Sequence, residues 1–226
     1  HNGYRQEGVY VSQNTIYHGR RWSTANAFLR PAMHRANLEV ETKALAHRVR
    51  LSGNRAVGLT YGCNGETREA EAANEVIVSC GAIGSPQLLL LSGVGDAEHL
   101  KAQDIPVSVP LPGVGRHLED HVKVMVQYVS SKPVSMAKQL SHVGRAKLGA
   151  EWWLFKSGLG TTSFFEVGGF VRTSDEHRIP NLQYEFLPMI GEIDQGKVTL
   201  AHGFQYYLNL MRPHSEGQVT LRSNDP

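Results

Sequence analysis

Hydrophobic and polar residues alternate in several short stretches of the chain, and each of these stretches predicts a β-strand. In the first half the stretches lie at 8–17, 37–42, 46–51 and 56–61. The last two flank a Ser-Gly-Asn turn, which predicts a hairpin. In the second half the stretches lie at 122–129, 166–172, 181–186, 204–211 and 218–221. We therefore expect the second half to form an antiparallel sheet.

Helical patterns lie between these strands. The sequence predicts helices at 22–29, 86–91, 97–103 and 143–155. Pro31 disfavours helical backbone at Arg30, so the first helix is expected to end before it. Ser85 suits the N-cap of the second helix, Pro86 suits its first position and Gly93 its end.

One strand differs from the others because it is apolar on both faces. The run Val-Ile-Val-Ser-Cys at 76–80 is typical of a buried parallel strand. In open α/β sheets, ligands bind at the carboxyl edge, where a strand of this kind runs into the start of a helix. The helix N-terminus there offers free N–H groups to an anion. The alternative is a tight strand-to-helix turn that binds no ligand.

Composition narrows the possible functions. Of the 226 residues, 41% are hydrophobic, which is enough for a packed core, and the longest aliphatic run covers only 88–91. No segment approaches the ~20 apolar residues of a membrane-spanning helix. Twenty-three Lys and Arg against 21 Asp and Glu leave no charge excess for a nucleic-acid partner. The two cysteines form no disulfide framework, and the 11 histidines show no metal-ligand spacing, so no metal is expected.

The run GAIGSPQLLLLSGVG at 81–95 resembles the second signature of the glucose–methanol–choline (GMC) flavoprotein oxidoreductases. GRRWSTANAFLRPA, IPVSVPLPGVGRHLEDH and HGFQYYLNLMRPHSEGQVTLRSNDP follow in the order of that family. The resemblance covers essentially the whole chain and is closest to the bacterial choline-oxidising branch. It implies an α/β plus α+β fold, with part of a Rossmann-like FAD-binding domain at 1–118. Part of a substrate domain with an antiparallel sheet follows at 119–226.

The family's dinucleotide fingerprint GxGxxG does not occur in this chain. The stretch Gly-Val-Gly-Arg-His-Leu at 113–118 has the first two glycines but leucine at the third position. No motif before Pro226 matches the family's catalytic histidine and its partner. We therefore expect an internal part of a longer protein, without the catalytic pair. Alone it is expected to bind little flavin and to be inactive.

The resemblance assigns four residues to the FAD side. The strand end and helix start at Cys80, Gly81 and Ala82 are expected to pass near the dinucleotide. Ala46 is expected to meet the adenine through its backbone, because an alanine N–H and C=O can read the edge of a base. The alternative for Ala46 is a place in the strand core without a ligand.

Three residues are assigned to the substrate side. By the resemblance, Val129 stands where the choline-oxidising branch has the carboxylate that faces the trimethylammonium group. Glu185 stands where the family has a histidine that touches the substrate hydroxyl, and Phe165 where an aromatic cage wall lies. Glu185 then either pairs a cation itself or indicates another substrate. The alternatives are a solvated strand residue for Glu185 and a core residue for Phe165.

The function implied by the resemblance is FAD-dependent oxidation of a small primary alcohol, choline-like or other, to the aldehyde by hydride transfer. The electron acceptor is expected to be oxygen or a quinone. A cytoplasmic location is expected, at the inner membrane face if a quinone is used, and the oligomeric state is left open. The alternative function within the same fold is a non-redox hydroxynitrile lyase that binds FAD.

Overall fold

The computed structural model describes residues 3–194 and 197–226. They fall into two compact units. The first unit comprises the chain up to Leu38 together with His121–Pro213, and the second comprises Glu39–Asp120 together with His214–Pro226. These units separate near the expected division at 118/119, but the first 38 residues group with the second half and His214–Pro226 with the first. The first residues do so because the first strand of the chain joins the sheet of the second half, and the last do so through backbone hydrogen bonds to Gly115 and Leu118.

The strands are, in chain order, β1 (Gly8–Val11), β2 (Ile16–Tyr17), β3 (Arg20–Arg21), β4 (Ala44–Ser52), β5 (Arg55–Cys63), β6 (Glu66–Glu71), β7 (Val94–Gly95), β8 (Val109–Pro110), β9 (Val122–Val129), β10 (Val167–Val171), β11 (Leu182–Leu187), β12 (Ile190–Asp194), β13 (Lys197–Ala201) and β14 (Gly203–Leu210). The α-helices are α1 (Arg30–Ala32), α2 (Gly81–Leu91), α3 (Ala97–Ala102) and α4 (His142–Phe155). A π-helical segment, Ala25–Leu29, runs directly into α1. Short 3₁₀ turns lie at Met136–Lys138 and Leu159–Thr161.

The first unit is built on a five-stranded sheet with the order β1-β10-β11-β14-β9. Every neighbouring pair is antiparallel, which confirms the prediction for the second half. One row of the register runs Tyr10, Gly168, Glu185, Tyr207 and Met125. Side chains in such a row share one face of the sheet, because successive residues of a strand point to opposite faces.

The two faces of this sheet differ in chemistry. We call one the polar face, defined by Tyr10, Lys123, Gln127, Gln183, Glu185, Gln205, Tyr207 and Asn209. The opposite face carries a cluster of stacked and edge-on rings from Tyr128, Tyr184, Phe186, Phe204 and Tyr206. Buried polar side chains need partners, so the polar face is where hydrogen-bond chemistry concentrates.

Helix α4 was also predicted from its pattern, and it forms one residue earlier than expected. Ser141 caps it, with its Oγ accepting from the Gly144 N–H at 3.2 Å. Trp152 packs inward and donates its indole N–H to the Gly19 carbonyl at 2.7 Å, whereas Trp153 is exposed. Of the two tryptophans, only Trp152 therefore has a packing role.

The second unit contains a three-stranded antiparallel sheet, β4-β5-β6, with α2 packed against β4, and it also contains α3. Its core is formed by Leu90, Leu91, Leu100, Ile105 and Leu221. The predicted hairpin at 46–61 is confirmed as β4 and β5. Strand β6 was not predicted, because its sequence Glu-Thr-Arg-Glu-Ala-Glu is almost wholly polar. It forms because its backbone completes the ladder of β5.

Three of the strands predicted from the sequence are wrong. Residues 76–80 form no strand, and Ile77 is 77% exposed. A parallel strand needs a neighbour for its backbone groups, and within the part of the chain that the structure describes none pairs with this run. Residues 37–42 and 218–221 are also irregular. In the last segment Val219 donates to the Gly115 carbonyl at 2.7 Å without forming a ladder.

The boundaries of two helices differ from the prediction as well. Helix α2 begins at Gly81, so Pro86 lies inside it and cannot donate to the Ala82 carbonyl. Its end is as predicted, at Ser92 with Gly93 in the left-handed region at φ +81°. Pro31 does not keep Arg30 out of a helix, since α1 contains both residues.

Candidate functional site

The start of α2 brings together three predicted cofactor residues, all of them exposed. Gly81 opens the helix with φ +81°, a conformation that favours glycine, and Cys80 and Ala82 flank it. The Cys80 N–H donates to Ser85 Oγ at 3.0 Å. The first-turn N–H groups of an α-helix have no acceptor inside the helix and carry a partial positive charge. This turn therefore offers backbone donors and small side chains to an anionic group.

Ala46 lies in β4 of the same unit and is half-buried opposite Tyr61. The register of β4 against β5 shifts between Ala46 and Arg48, which marks a bulge. The extra residue left out of the ladder is His47, next to Ala46, and such irregularities often occur beside ligand sites. The position suits a backbone contact, and the role of Ala46 stays a prediction.

Ser92 joins α2 to β4. Its Oγ accepts the Val49 N–H of β4 at 2.8 Å and donates to the Leu88 carbonyl of α2 at 2.5 Å. Ser92 and Val49 are both buried. The helix and the strand that carry the predicted cofactor residues are thus fixed to each other by one buried hydroxyl.

A cavity of about 340 Å³ lies against the start of α2 and is lined by Ala82, Pro86, Gly115, Arg116, His117, Leu118, Glu119 and Val219. His117 Nδ1 lies 2.5 Å from a Glu216 carboxylate oxygen. Leu118 and Gly217 exchange two backbone hydrogen bonds. His117 and the backbone of Leu118 therefore tie the segment around Glu216 to this wall. Across residues 3–194 and 197–226, no group of three or more His, Cys, Asp or Glu side chains is arranged to hold a metal ion.

Two of the three predicted substrate residues come together in the first unit. Glu185 lies in β11 directly opposite Tyr207 of β14. The ring of Phe165 lies against the Tyr207 ring, with centroids 5.5 Å apart and planes at 59°. Tyr207 is therefore the side chain that connects Phe165 with the polar face, although the sequence analysis did not single it out.

Lys123 is the second residue that the sequence analysis missed. Its Nζ lies 4.2 Å from the centroid of the Tyr207 ring and 4.0 Å from Glu185 Oε2. The available signal was strand alternation, which places Lys123 on the same face of β9 as Met125, opposite Tyr207. The position of Glu185 beside a cation was visible only once the strands were paired.

Val129 lies apart from this group. It is at the end of β9, opposite Gly203, and 80% exposed. It lies four positions from Met125, which is about 13 Å along the strand. Val129 thus shares the face but lies away from the register row of Glu185, and its assignment to substrate stays a prediction.

Hydrogen bonds continue across the rest of the polar face. Gln183 donates to the Tyr10 hydroxyl at 2.8 Å, and Gln205 donates to the Tyr207 hydroxyl at 3.1 Å. Burial raises the pKa of the Tyr10 phenol above its usual value, the Gln183 hydrogen bond works against the rise, and the Glu185 charge adds to it. Tyr10 therefore stays protonated as a neutral hydrogen-bonding group.

The two cysteines differ in environment, and both are free thiols. Cys80 is exposed, whereas Cys63 is buried with its Sγ 3.1 Å from Glu41 Oε1. The hydrogen bond to the Glu41 carboxylate, together with burial, raises the pKa of the Cys63 thiol. A raised pKa is the opposite of what activates a thiol as a nucleophile, so Cys63 is not an activated nucleophile.

Comparison with known protein families shows to which family the chain belongs. The family model described as GMC oxidoreductase matches residues 1–123, which is more than half of the chain. The chain belongs to the GMC oxidoreductase family. The family predicted from the motif at 81–95 is thereby confirmed.

Curated relatives of this GMC oxidoreductase chain match over its whole length. It is 43% identical over 225 residues to an oxygen-dependent choline dehydrogenase of Staphylococcus xylosus and 46% identical over 226 residues to one of Burkholderia ambifaria. In both comparisons 100% of this chain aligns with 40% of the relative. The chain thus spans about two fifths of the length of these curated relatives.

Solved structures confirm the fold of the GMC chain. A formate oxidase of Aspergillus oryzae matches with a TM-score of 0.85 at 23% identity, covering 97% of this chain and 43% of the other. Pyridoxine 4-oxidase from Mesorbium loti matches with a TM-score of 0.76 at 24% identity, covering 97% and 39%. Identity this low establishes the shared fold alone. Among the described residues, no helix is both long and apolar enough to cross a membrane.

Proposed function

We propose that this GMC chain takes part in the FAD-dependent oxidation of a small primary alcohol to the aldehyde, with hydride transfer to the flavin. The observation that carries the proposal is the match to the family model together with 43–46% identity to oxygen-dependent choline dehydrogenases along the entire chain. Those relatives are named as oxygen-dependent enzymes, so we propose oxygen as the electron acceptor and keep a quinone as the alternative. The proposed location is the cytoplasm, with peripheral membrane contact in the quinone case.

The residues at the start of α2 fit part of an FAD site. Gly81 with φ +81° has open space where a side chain would begin, and Cys80 and Ala82 add only small side chains. We propose that the free N–H groups of this turn face an anionic part of the dinucleotide. The backbone of Ala46, at the bulge of β4, is proposed to face the adenine. Bound FAD would supply the hydride acceptor, which no amino-acid side chain provides.

The polar face of the sheet is proposed to face the substrate. Phe165 supplies an apolar wall, and Glu185 and Tyr207 supply hydrogen-bonding groups beside it. Val129 is proposed to lie at the rim of this face, since its side chain is exposed at the end of β9. The chain's residues thus orient and surround an alcohol, and none of them is assigned as the catalytic base.

The test of the proposed chemistry uses the natural gene product that contains this chain. We expect a yellow protein whose flavin absorbance bleaches when an alcohol substrate is added without oxygen and returns when oxygen is admitted. A yellow protein that never bleaches but cleaves cyanohydrins would contradict the proposal and favour the lyase. For the isolated 226 residues we expect little or no bound flavin, and stoichiometric FAD there would overturn that expectation.

The cofactor assignment has its own test. A carboxylate near a helix N-terminus stabilises the helix by about 0.3–1 kcal/mol but repels an anionic ligand. In the natural gene product, Ala82→Glu is therefore expected to lose FAD without losing thermal stability of the apoprotein. The control Gln87→Glu places the same charge at an exposed position further along α2 and is expected to retain FAD. Equal FAD content in the two variants would exclude the α2 turn as the anion site.

A further inference from the structure

The chain's own ammonium group occupies the part of the polar face that is best suited to a cation. Lys123 Nζ lies over the Tyr207 ring at 4.2 Å and 4.0 Å from Glu185 Oε2. Phe165 adds a second ring against Tyr207. Aromatic faces combined with a carboxylate are the groups that bind a quaternary ammonium ligand. Here these groups already have a cationic partner from the same protein.

This arrangement follows from the strand register. Tyr207 lies between Glu185 of β11 and Met125 of β9. Lys123 is two residues from Met125 and thus shares its face, diagonal to Tyr207, within reach of a long side chain. The Lys123 and Glu185 side chains are 47% and 30% exposed, so a small dissolved ligand can reach them.

We propose that Lys123 is a specificity-determining residue that excludes alcohols carrying a fixed positive charge and leaves the polar face to uncharged alcohols. The Lys123 ammonium occupies the Tyr207 ring face and pairs with the Glu185 carboxylate. A second cation at this place is repelled by the positive charge of Lys123 at close range. The lysine and glutamate charges cancel, so the group attracts no anionic alcohol either. The alcohol in this inference rests on the proposed function, whereas exclusion of the cation is a property of Lys123, Glu185 and Tyr207 alone.

The experiment measures binding of tetramethylammonium chloride to the full chain by NMR titration, in the absence of flavin. Lys123→Met keeps the length of the side chain and removes its charge, which frees the ring and the carboxylate. We expect it to bind tetramethylammonium at least about tenfold more tightly than the wild type, which corresponds to about 1.4 kcal/mol. The matched control Lys147→Met removes an exposed lysine on α4 and is expected to behave as the wild type.

Two further variants separate charge from altered packing. Lys123→Arg retains the positive charge and is expected to keep the exclusion. Adding Glu185→Gln to Lys123→Met removes the counter-charge, and the gained affinity is expected to fall back toward the wild-type value. The proposal is overturned if wild type and Lys123→Met bind the probe equally, or if the double variant keeps the whole gain. Because this assay needs no flavin, such a failure is distinct from a failure of flavin bleaching.

Discussion

Replacing Ser92 by alanine tests the contact that joins α2 to β4. In the structure the Ser92 hydroxyl accepts the Val49 N–H at 2.8 Å and donates to the Leu88 carbonyl at 2.5 Å. Strand β4 is the edge of its sheet, so half of its backbone groups point away from β5 and need other partners. The Val49 N–H points to the serine, and Ser92→Ala removes its acceptor without changing the surrounding apolar packing.

The magnitude follows from which groups lose a partner. The Leu88 carbonyl keeps the backbone N–H of residue 92, which donates to it at 3.1 Å. The Val49 N–H is left without a partner in a place where Val49 is 7% and Ser92 8% exposed. A buried donor in this state costs about 1–3 kcal/mol. We therefore expect Ser92→Ala to reduce the free energy of unfolding of the second unit by that amount.

The assay is urea unfolding followed by far-UV circular dichroism, together with NMR exchange of the Val49 amide proton. Ser92→Ala is expected to lower the unfolding midpoint and to accelerate Val49 exchange. Ser79→Ala is the matched control, because Ser79 is exposed and its hydroxyl is open to water. Unchanged protection of Val49 in Ser92→Ala would refute the reasoning, since the amide would then have another acceptor. Equal midpoints for both variants would refute it too.

Other predictions concern the core, the thiols and one phenol. Leu100 is fully buried, so Leu100→Ala is expected to lower the free energy of unfolding, measured in urea, by about 3–5 kcal/mol. Leu111 is 50% exposed, so Leu111→Ala is expected to lower it far less. Equal losses would contradict the assigned core. Cys80 is expected to react with a disulfide reagent much faster than buried Cys63, whose thiol pKa is raised, and reversed rates by peptide mapping would contradict this. The pKa of Tyr10 is raised on folding, so its stabilising contribution is complete below the ordinary pKa near 10 and is lost as the pH rises through the folded value. Alkaline titration should therefore destabilise the wild type more steeply than Tyr10→Phe, and parallel curves would argue against this shift.

The best predictions from sequence were for segments whose pattern is local. Strand β9 was expected at 122–129 and spans Val122–Val129, and α4 was expected within one residue of its start. In both, the side-chain period distinguishes strand from helix without reference to any partner. The hairpin of β4 and β5 was predictable for the same reason, because its turn and both flanking strands are adjacent in sequence.

Predictions failed where a segment depends on a distant partner. The apolar run at 76–80 resembles a buried strand, yet a strand exists only when another backbone lies beside it. Strand β6 shows the reverse, because its polar sequence pairs with β5 despite an unfavourable pattern. The pairing of β1 with β10 was likewise not visible in the sequence, since β10 lies more than 150 residues away.

The candidate sites divide in the same way. The motif at 81–95 identified the family and the turn at Cys80, Gly81 and Ala82, because its small residues are visible in the sequence, although α2 begins at Gly81 and not at Pro86. Phe165 and Glu185 were singled out, but the Tyr207 ring between them was not. Lys123 had no signal of its own, because a lysine in an alternating strand is ordinarily a solvated residue.

By itself, the sequence determined the family, helices α3 and α4 and the strands with a clear period, since these depend on residue types and near neighbours. Only the tertiary structure decided that β1 joins the sheet of the second half and that the 76–80 run has no ladder. It also decided that the Lys123 ammonium, the Glu185 carboxylate and the Tyr207 ring meet on one face. The physical reason is that cross-strand register brings together residues separated by 22 to 84 positions in sequence. The electrostatic potential at such a site is the sum of the contributions of all these residues.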